Sequence, residues 1–283
     1  MTRLVLTLAC SIGVLGPAGC GDRSGSAAPA GLEQGLVITS TPVAAALLRE
    51  LVPESMTVEV VVPEGADPLG WQADDAAVVR LRQAELIVFH GTGPERWSRT
   101  LSLPSSRIHL LADTVRTGLI LSEEAITHSH GLGGEHSHRE PVFGTWLDPA
   151  MLRPQGEQLV EALIRIEPGQ ETLIRANLAA WIGSLREASA VVERMRSLEP
   201  RSQLVADREG YAYLARALRL DLVDPEDVDE TRPSVWFHGG IAGDDVVTLG
   251  WPDPLEWSAE SRGFGETLAQ RLASLEQAIA EAE

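Results

Sequence analysis

The sequence predicts an α/β protein of two lobes, each built on a mainly parallel β-sheet and joined to the other by a long helix. Three observations lead to this fold class. The length of 283 residues exceeds the usual size of a single hydrophobic core. Apolar, strand-like segments alternate with helical ones, which is typical of a parallel sheet covered by helices on both faces. A helical periodicity over residues 171–198 supplies a connection long enough to join two lobes.

The first lobe is predicted over residues 35–147. It begins with a strand at 36–40, after which Thr41 and Pro42 supply an N-cap and an N1 proline for a helix. Ligand-binding loops in such sheets lie at the carboxyl ends of the strands, so a site is expected there. The other predicted elements are strands at 56–62, 85–90 and 107–111 and helices at 43–52 and 74–83.

Residues 122–146 interrupt this alternation. The segment is rich in glycine, histidine and acidic residues and is too polar for a packed element, so we predict a surface loop within the first lobe. Four of the seven histidines in the chain fall within residues 128–138. This concentration favours metal binding by the loop.

A helical linker is predicted over residues 148–199. Asp148 and Pro149 repeat the cap-and-proline signal and begin its first helix. A turn at 167–170 separates that helix from a second one at 171–198, where apolar residues recur at three- and four-residue steps. At ~1.5 Å per residue the second helix spans about 40 Å, which is enough to bridge two lobes.

The second lobe is predicted over residues 200–283 as a small α/β unit. Its last element is an amphipathic helix at 265–281. The other predicted elements are strands at 202–207, 234–238 and 245–251 and a helix at 211–220.

The first 20 residues predict export from the cytoplasm. Arg3 precedes an apolar stretch at 4–16 that is too short to span a bilayer comfortably, as in a signal peptide. The small residues before Cys20 resemble the cleavage site of bacterial lipoproteins, so Cys20 is the predicted site of lipidation and membrane anchoring. Ordinary signal cleavage nearby is the alternative, and it would also place the protein in the periplasm or another extracytoplasmic space. Residues 21–34 are small and polar and predict a flexible tether.

Composition excludes several classes of function. A formal net charge of −18 repels nucleic acid and raises the local concentration of cations. Both cysteines lie within the first 20 residues, which excludes disulfides, thiolate catalysis and cysteine-based zinc sites from the exported domain. The sequence has no GxSxG elbow, no P-loop, no HExxH and no GxGxxG between a strand and a helix. We therefore predict that the protein is not an enzyme.

Four short motifs occur in order along the chain. They are Pro63-x-Gly65-x-Asp67-Pro68 with Trp71 and Gln72, TWLDP at 145–149, YAYL at 211–214 and DPL at 253–255. These motifs resemble those of the solute-binding proteins that serve zinc/manganese ABC transporters. The resemblance implies two α/β lobes joined by one rigid helix, with a metal ion bound between the lobes and delivered to a membrane permease.

The metal pocket that the resemblance implies is largely replaced in this chain. The family coordinates zinc or manganese with three imidazoles and a carboxylate, a donor set that suits such cations. The histidine positions carry Leu69, Gly144 and Arg208 here, and only Asp253 keeps a ligand. Leucine and glycine side chains donate no lone pair, and a guanidinium repels a cation. The stretch from Leu220 to Asp253 is also shorter than in the family, so we expect a shortened second lobe.

The best remaining metal candidates are His128, His130, His136 and His138. Two His-x-His pairs flank a glycine-rich segment and could form a four-nitrogen site for zinc, nickel or copper. Incidental histidines in a polar loop are the alternative. Ordering the loop costs about 1 to 2 kcal/mol per residue, so a modest affinity is expected.

The other histidines and the tryptophans are weaker candidates for ligand binding. His238 follows a predicted strand of the second lobe near Asp253 and is a candidate substitute ligand. His90 and His109, at the end of one strand and inside another, are more typical of structural histidines. Five tryptophans near the predicted cleft are interpreted as packing between lobes, against the alternative of stacking an organic ligand. They are Trp71, Trp146, Trp236, Trp251 and Trp257.

These observations predict an extracytoplasmic solute-binding lipoprotein of an ABC importer with a degenerate central metal pocket. The predicted cargo is a divalent ion, Zn²⁺ first and Mn²⁺ second. The predicted partners are the permease and, through the lipid anchor, the membrane. The alternative is a divergent binding protein that no longer binds metal in its cleft and takes another solute or a protein partner.

Overall fold

The computed structural model describes residues 31–129, 135–198, 202–206, 209–237, 247–249 and 263–282, with the backbone alone at 123–129, 135–138 and 198. Residues 31–283 form one compact unit, and residues 1–30 are a separate unit outside the described part. No helix in the described ranges combines the length and the apolar character that crossing a bilayer requires.

The first lobe is built on a four-stranded parallel sheet. Its strand order is β2-β1-β3-β4, so the first strand lies at the centre and receives partners on both sides. Strand β1 begins two residues before the predicted start of the lobe. The elements are β1 Glu33–Thr39, α1 Pro42–Leu51, β2 Thr57–Val60, α2 Asp75–Gln83, β3 Ala84–Phe89 and β4 Ile108–Leu110.

Local sequence signals explain where these helices begin. The Thr41 side chain accepts a hydrogen bond from the backbone N–H of Ala44, and Pro42 occupies the first turn, where its missing N–H costs nothing. Asp74 caps α2 in the same way through the N–H of Ala77. The predicted cap at Thr41 is therefore present, and it fixes the point where the chain leaves β1 and turns into α1.

The histidine-rich segment forms a β-hairpin, so the prediction of a surface loop over 122–146 was wrong for most of its length. Strands β5 Leu121–Ser129 and β6 Glu135–Pro141 pair antiparallel. The prediction treated polar composition as evidence against a strand. A two-stranded antiparallel ribbon can nevertheless form through backbone hydrogen bonds between its strands, without a buried apolar face. A 3₁₀ turn at Thr145–Leu147 then leads into the linker.

Two helices form the linker, as predicted. Helix α3 covers Pro149–Ile166, with Asp148 as its N-cap, and α4 covers Glu171–Leu198. The two helices approach closely where Gly156 faces the buried ring of Trp181, since a Cβ at Gly156 would lie 2.1 Å from the Cζ3 atom of that ring. Helix α4 also packs against α1 of the first lobe and α6 of the second.

The second lobe contains a four-stranded parallel sheet with strand order β10-β9-β7-β8. Strand β8 was not predicted. The crossover from β8 to β9, residues 224–233, contains only turns and bends, whereas such crossovers usually carry a helix. The elements are β7 Gln203–Val205, α5 Ala212–Leu218, β8 Asp221–Val223, β9 Ser234–Phe237, β10 Val247–Leu249 and α6 Phe264–Ala282.

Candidate metal site and the contact between the lobes

The carboxyl ends of β1 and β3 carry a buried polar cluster. Ser40 and Thr41 follow β1, His90 follows β3, and Glu95 lies in the 3₁₀ segment that comes next. All four are at most 5% exposed. This is the edge of the sheet where the sequence predicts ligand-binding loops, so its side chains decide what the first lobe can bind.

Glu95 is the hydrogen-bond acceptor of the cluster. The Ser40 hydroxyl donates to its Oε1 atom at 2.5 Å, the N–H of His90 donates to the same oxygen at 3.1 Å, and the N–H of Gly91 donates to Oε2 at 3.2 Å. Burial raises the pKa of Glu95 to about 7, although these hydrogen bonds act in the opposite direction. The Glu95 carboxyl group therefore links the residues that follow β1 to those that follow β3.

His90 is packed as a structural side chain. Its Nε2 atom lies 2.6 Å from the Thr41 hydroxyl, and its ring lies 4.3 Å from that of Trp146. Burial lowers its pKa to about 3, so the ring is neutral at physiological pH. Its Nδ1 atom has no hydrogen-bond partner among the described residues. These contacts fit the interpretation of His90 as a structural histidine.

The first position of the implied metal pocket is occupied by apolar packing. Leu69 is partly buried and packs against the main hydrophobic core. Its Cδ2 atom would lie 3.4 Å from a Cβ placed on Gly93. The side chain at this position therefore fills space at the edge of the first lobe and offers no donor to a cation.

The second position has no room for a side chain. Gly144 has a φ of +102°, in the left-handed region that favours glycine. A Cβ at this position would lie 2.1 Å from the carbonyl oxygen of Gly210, which belongs to the second lobe. The two lobes thus meet backbone to backbone where the family resemblance places an imidazole.

Aromatic side chains complete this contact. A Cβ on Gly210 would lie 2.5 Å from Cε2 of Phe143, so the phenyl ring covers the glycine from the first lobe. Trp146 and Tyr211 are each 1% exposed, and Tyr211 packs on Phe237 with ring centroids 4.9 Å apart. Trp71 packs edge-on against Trp97, away from this contact. Trp71 and Trp146 therefore serve packing. Trp236 is partly buried in β9, and Trp251 and Trp257 lie outside the described residues.

Tyr213 and Arg216 of α5 reach across to the first lobe, and sequence reasoning missed both. The Tyr213 hydroxyl accepts from the N–H of Ile120 at 3.1 Å and donates to the carbonyl of Val142 at 3.3 Å. Arg216 donates to the carbonyl of Gly118 and stacks 5.0 Å from the Tyr213 ring. The signal available in the sequence was the YAYL motif, which alone does not reveal the partners.

The hairpin brings two of the candidate histidines into register. Positions 128 and 136 are directly paired, and position 138 is paired with 126. Among the residues whose side chains the structure describes, which exclude 123–138, no group of three His, Cys, Asp or Glu side chains is close enough to share a metal ion. Cys20, His130, Arg208, His238 and Asp253 lie outside the described residues.

A protein-family model decides the relationship to known proteins. The model described as ZnuA, "Zinc-uptake complex component A periplasmic", matches residues 37–235. The chain belongs to this family. The family resemblance seen in the motifs is confirmed.

Curated relatives of the ZnuA family are distant. The zinc-binding lipoprotein AdcA of Streptococcus pneumoniae is 23% identical over 171 residues, covering 59% of this chain and 34% of AdcA. The manganese-binding lipoprotein MntA of Halalkalibacterium halodurans is 22% identical over 209 residues, covering 73% of this chain and 65% of MntA. The high-affinity zinc uptake system protein ZnuA of Yersinia pestis is 25% identical over 166 residues, covering 53% of this chain and 52% of that protein. The matches thus span about a third to two thirds of these relatives.

Solved structures share the fold over most of the chain. A crystal structure of ZnuA superposes with a TM-score of 0.64 at 19% identity, covering 88% of this chain and 99% of the other. The periplasmic zinc-binding protein TroA from Treponema pallidum gives 0.65 at 16%, covering 88% and 99%. A Ni²⁺ complex of FpvC from Pseudomonas aeruginosa gives 0.67 at 13%, covering 89% and 98%. The predicted fold of two parallel-sheet lobes with a long helix is confirmed.

Proposed function

We propose that this chain is an extracytoplasmic solute-binding lipoprotein that captures a divalent metal ion, zinc first and manganese second, and presents it to the permease of an ABC importer. The observation that carries the proposal is the ZnuA-family match over residues 37–235. Three relatives are named for binding or taking up zinc or manganese. Members of this family are solute-binding proteins rather than enzymes, in agreement with the predicted absence of turnover.

The anchor proposal rests on the sequence around Cys20. The lipobox-like residues before Cys20 and the polar stretch at 21–34 fit a protein that is lipidated and tethered to a membrane. Two relatives carry the word lipoprotein in their names. Metabolic labelling with a fatty acid should mark the wild-type chain and leave a Cys20→Ser variant unmarked.

The cargo is proposed to bind outside the family pocket. Leu69 has no lone pair to offer, and Gly144 lies against the backbone of Gly210, so two of the four expected ligand positions contribute nothing. Asp253, with His238 as a candidate substitute, remains as a proposed contributor from the second lobe. These two residues alone do not make the three- or four-ligand set that zinc requires.

The hairpin histidines are the proposed principal ligands. The register pairs position 128 with position 136, and positions directly opposite in an antiparallel ribbon have Cβ atoms about 4.5 to 5.5 Å apart. His130 and His138 each lie two residues along the sequence from a member of this pair. Imidazole nitrogen suits zinc better than manganese, which favours oxygen donors, and this supports zinc as the first cargo.

A second candidate function is favoured by the closed contact at Gly144. A chain that lost three pocket ligands and packs its lobes together there could serve as a binding module for another solute or a protein. The two functions can be distinguished by experiment, because only the first requires the hairpin to bind metal.

The test is zinc binding by the full chain, expressed with its own leader and purified as the processed form. Isothermal titration with Zn²⁺ should show saturable uptake, and a His128→Ala/His136→Ala/His138→Ala variant should lose it. A His109→Ala variant is the matched control and should bind as the wild type does. Absence of stoichiometric zinc in the wild type, together with a melting temperature unchanged by chelator, would support the second function instead.

A further inference from the structure

A cavity of about 370 Å³ lies between helices α1, α4 and α6. This volume falls within the range of roughly 300 to 1,000 Å³ that is usual for small-molecule sites. Helix α1 starts at the carboxyl end of β1 and runs back along the sheet, so its last turn lies roughly 12 Å along the helix axis from the edge that carries the buried cluster. The cavity is therefore separate from the implied metal pocket. The described residues around it include Glu50 of α1, Asn177, Trp181 and Ser184 of α4, and Gly263 and Glu266 around the start of α6.

The end of α1 is fixed to both of the other helices. The Asn177 side-chain amide of α4 donates to the carbonyl of Leu51 at 3.2 Å. The Oε1 atom of Glu50 accepts from the N–H of Gly263 at 2.5 Å and from the N–H of Phe264 at 3.2 Å, which caps the start of α6. These contacts hold the walls of the cavity in place before any ligand arrives.

Two carboxylates give the cavity a negative charge. Glu50 binds the two N–H groups through Oε1, and its Oε2 atom has no partner among the described residues. The Oε2 atom of Glu266 would lie 3.4 Å from a Cβ placed on Gly263, so this carboxylate lies beside the same backbone that Glu50 binds. The described residues around the cavity include no arginine, lysine or histidine. A positively charged ligand is therefore favoured.

The indole of Trp181 supplies an unpaired donor to the cavity. Trp181 is 1% exposed, and its Nε1 atom has no hydrogen-bond partner among the described residues. The Cζ3 edge of the ring faces Gly156 of α3. Because Nε1 lies on the opposite edge of an indole, its N–H points away from α3 and toward the cavity that Trp181 lines. A buried N–H without an acceptor costs free energy, and a ligand oxygen would remove that cost.

We propose that this cavity binds a small organic ammonium ion that also carries a hydroxyl or carbonyl oxygen. The ammonium group has three N–H donors and bridges the carboxylates of Glu50 and Glu266. The neighbouring oxygen accepts from the Nε1 atom of Trp181. This binding goes beyond the metal capture proposed above and does not depend on it.

Other classes of ligand fit the cavity less well. A bare calcium ion takes about six to eight oxygen ligands, and magnesium demands a near-octahedral set. A metal ion also cannot accept a hydrogen bond from the indole of Trp181. A phosphate ester is repelled by the carboxylates of Glu50 and Glu266, which disfavours the headgroup of an ethanolamine phospholipid. The chemistry therefore favours a free amino alcohol.

The test is titration of the processed full chain with ethanolamine, followed by the ¹⁵N–¹H signal of the Trp181 indole. Sequential assignment of the labelled chain identifies this signal among those of the seven tryptophans. Ethanolamine should shift it saturably. Ethylamine lacks the oxygen, ethylene glycol lacks the charge, and O-phosphoethanolamine adds the phosphate, so each should bind more weakly than ethanolamine.

Variants of the carboxylates supply the second readout. Glu266 is exposed, so Glu266→Gln should fold normally and weaken ethanolamine binding by about two- to fivefold, the size expected for an exposed ion pair. Glu50→Gln/Glu266→Gln keeps an acceptor oxygen for the start of α6 and should weaken binding further. Glu281→Gln removes one charge from an exposed position at the far end of α6 and is the matched control, with unchanged affinity.

The outcomes decide between a ligand site and a cavity filled by water only. No saturable shift of the Trp181 signal, or equal shifts with ethanolamine and ethylene glycol, would overturn the proposal. Wild-type affinity in both glutamine variants would overturn it as well. Selective binding of ethanolamine that weakens stepwise in the variants would establish the site, whether or not the hairpin binds zinc.

Discussion

The centre of the molecule and its hairpin differ in the donor atoms that they can offer to a metal ion. At the centre, Leu69 and Gly144 stand at implied ligand positions, and the latter lies against Gly210 with no space for a Cβ. In the hairpin, three of the four histidines, those at 128, 136 and 138, lie on the two paired strands. The difference shows that packing can preserve the fold while the metal ligands of the pocket are lost. Packing depends on the shapes of core side chains, whereas metal binding depends on a few donor atoms.

The largest expected effect comes from restoring the family residue at the centre. Gly144→His places a Cβ at 2.1 Å from the Gly210 carbonyl on a backbone with positive φ, so we expect a loss of about 3 kcal/mol in the free energy of unfolding. Urea denaturation of the metal-free chain measures it. Gly183→Ala, on α4 with open space around the glycine, is the control and should be neutral or stabilising by up to about 1 kcal/mol. A stable Gly144→His chain that gains zinc binding would contradict the closed centre.

The next largest effect is the pH dependence of the free energy of unfolding that arises from Glu95 and His90 in the buried cluster. The pKa of Glu95 is raised from 4.5 to about 7, so the folded chain binds the extra proton in this window and the contribution of Glu95 to stability falls as pH rises. The pKa of His90 is lowered from 6.5 to about 3, so the unfolded chain binds the proton and the contribution of His90 to stability rises with pH. Between pH 4.5 and 6.5 the two contributions oppose each other.

Single variants should expose these opposed slopes. Relative to the wild type, Glu95→Gln should make stability rise more steeply from pH 4.5 to 6.5, and His90→Asn should make it fall, each by up to about 2 kcal/mol across the window. Urea midpoints at half-unit pH steps provide the measurement. Parallel pH profiles for all three chains would show that these groups do not titrate as their burial requires.

The smallest effect is expected at the other lost ligand position. Leu69→His removes partly buried packing and should cost about 1 kcal/mol. In a chain that lacks the three hairpin histidines 128, 136 and 138, this substitution should not restore zinc binding, because one imidazole does not supply the three or four ligands that zinc takes. Titration calorimetry measures the zinc binding, with Leu69→Met as the volume-matched control. Stoichiometric zinc in the histidine variant would mean that the centre is still a working site.

Sequence reasoning reached the fold because its signals are local. The caps at Thr41 and Asp148 and the periodicity of α4 are read from neighbouring residues, and the structure has them at the predicted positions. The hydrogen bonds between Tyr213 and Ile120 and between Arg99 and Glu140 could not be predicted in this way. They join residues 41 to 93 positions apart, and no spacing rule specifies such pairs.

Short polar strands were the other weakness of the sequence reasoning. Strand β8 has three residues and was overlooked. The hairpin was taken for a loop because its strands are rich in histidine and glutamate and carry few β-branched residues. Gly144 was identified as a missing ligand, whereas its close approach to Gly210 became visible only in three dimensions. The metal-binding assignments of His128, His130, His136, His138, His238 and Asp253 remain predictions.

The position of helix α4 between the lobes affects how the chain folds and how it is degraded. One continuous hydrophobic cluster runs through it, including Val37 and Leu48 on one side and Leu204 and Val235 on the other. This main cluster is shared by the two lobes, so cleavage in the 167–170 turn would expose apolar surface on both fragments and favour aggregation or degradation. The main cluster also includes residues of α6, so we expect it to be complete only after this last helix has been synthesised.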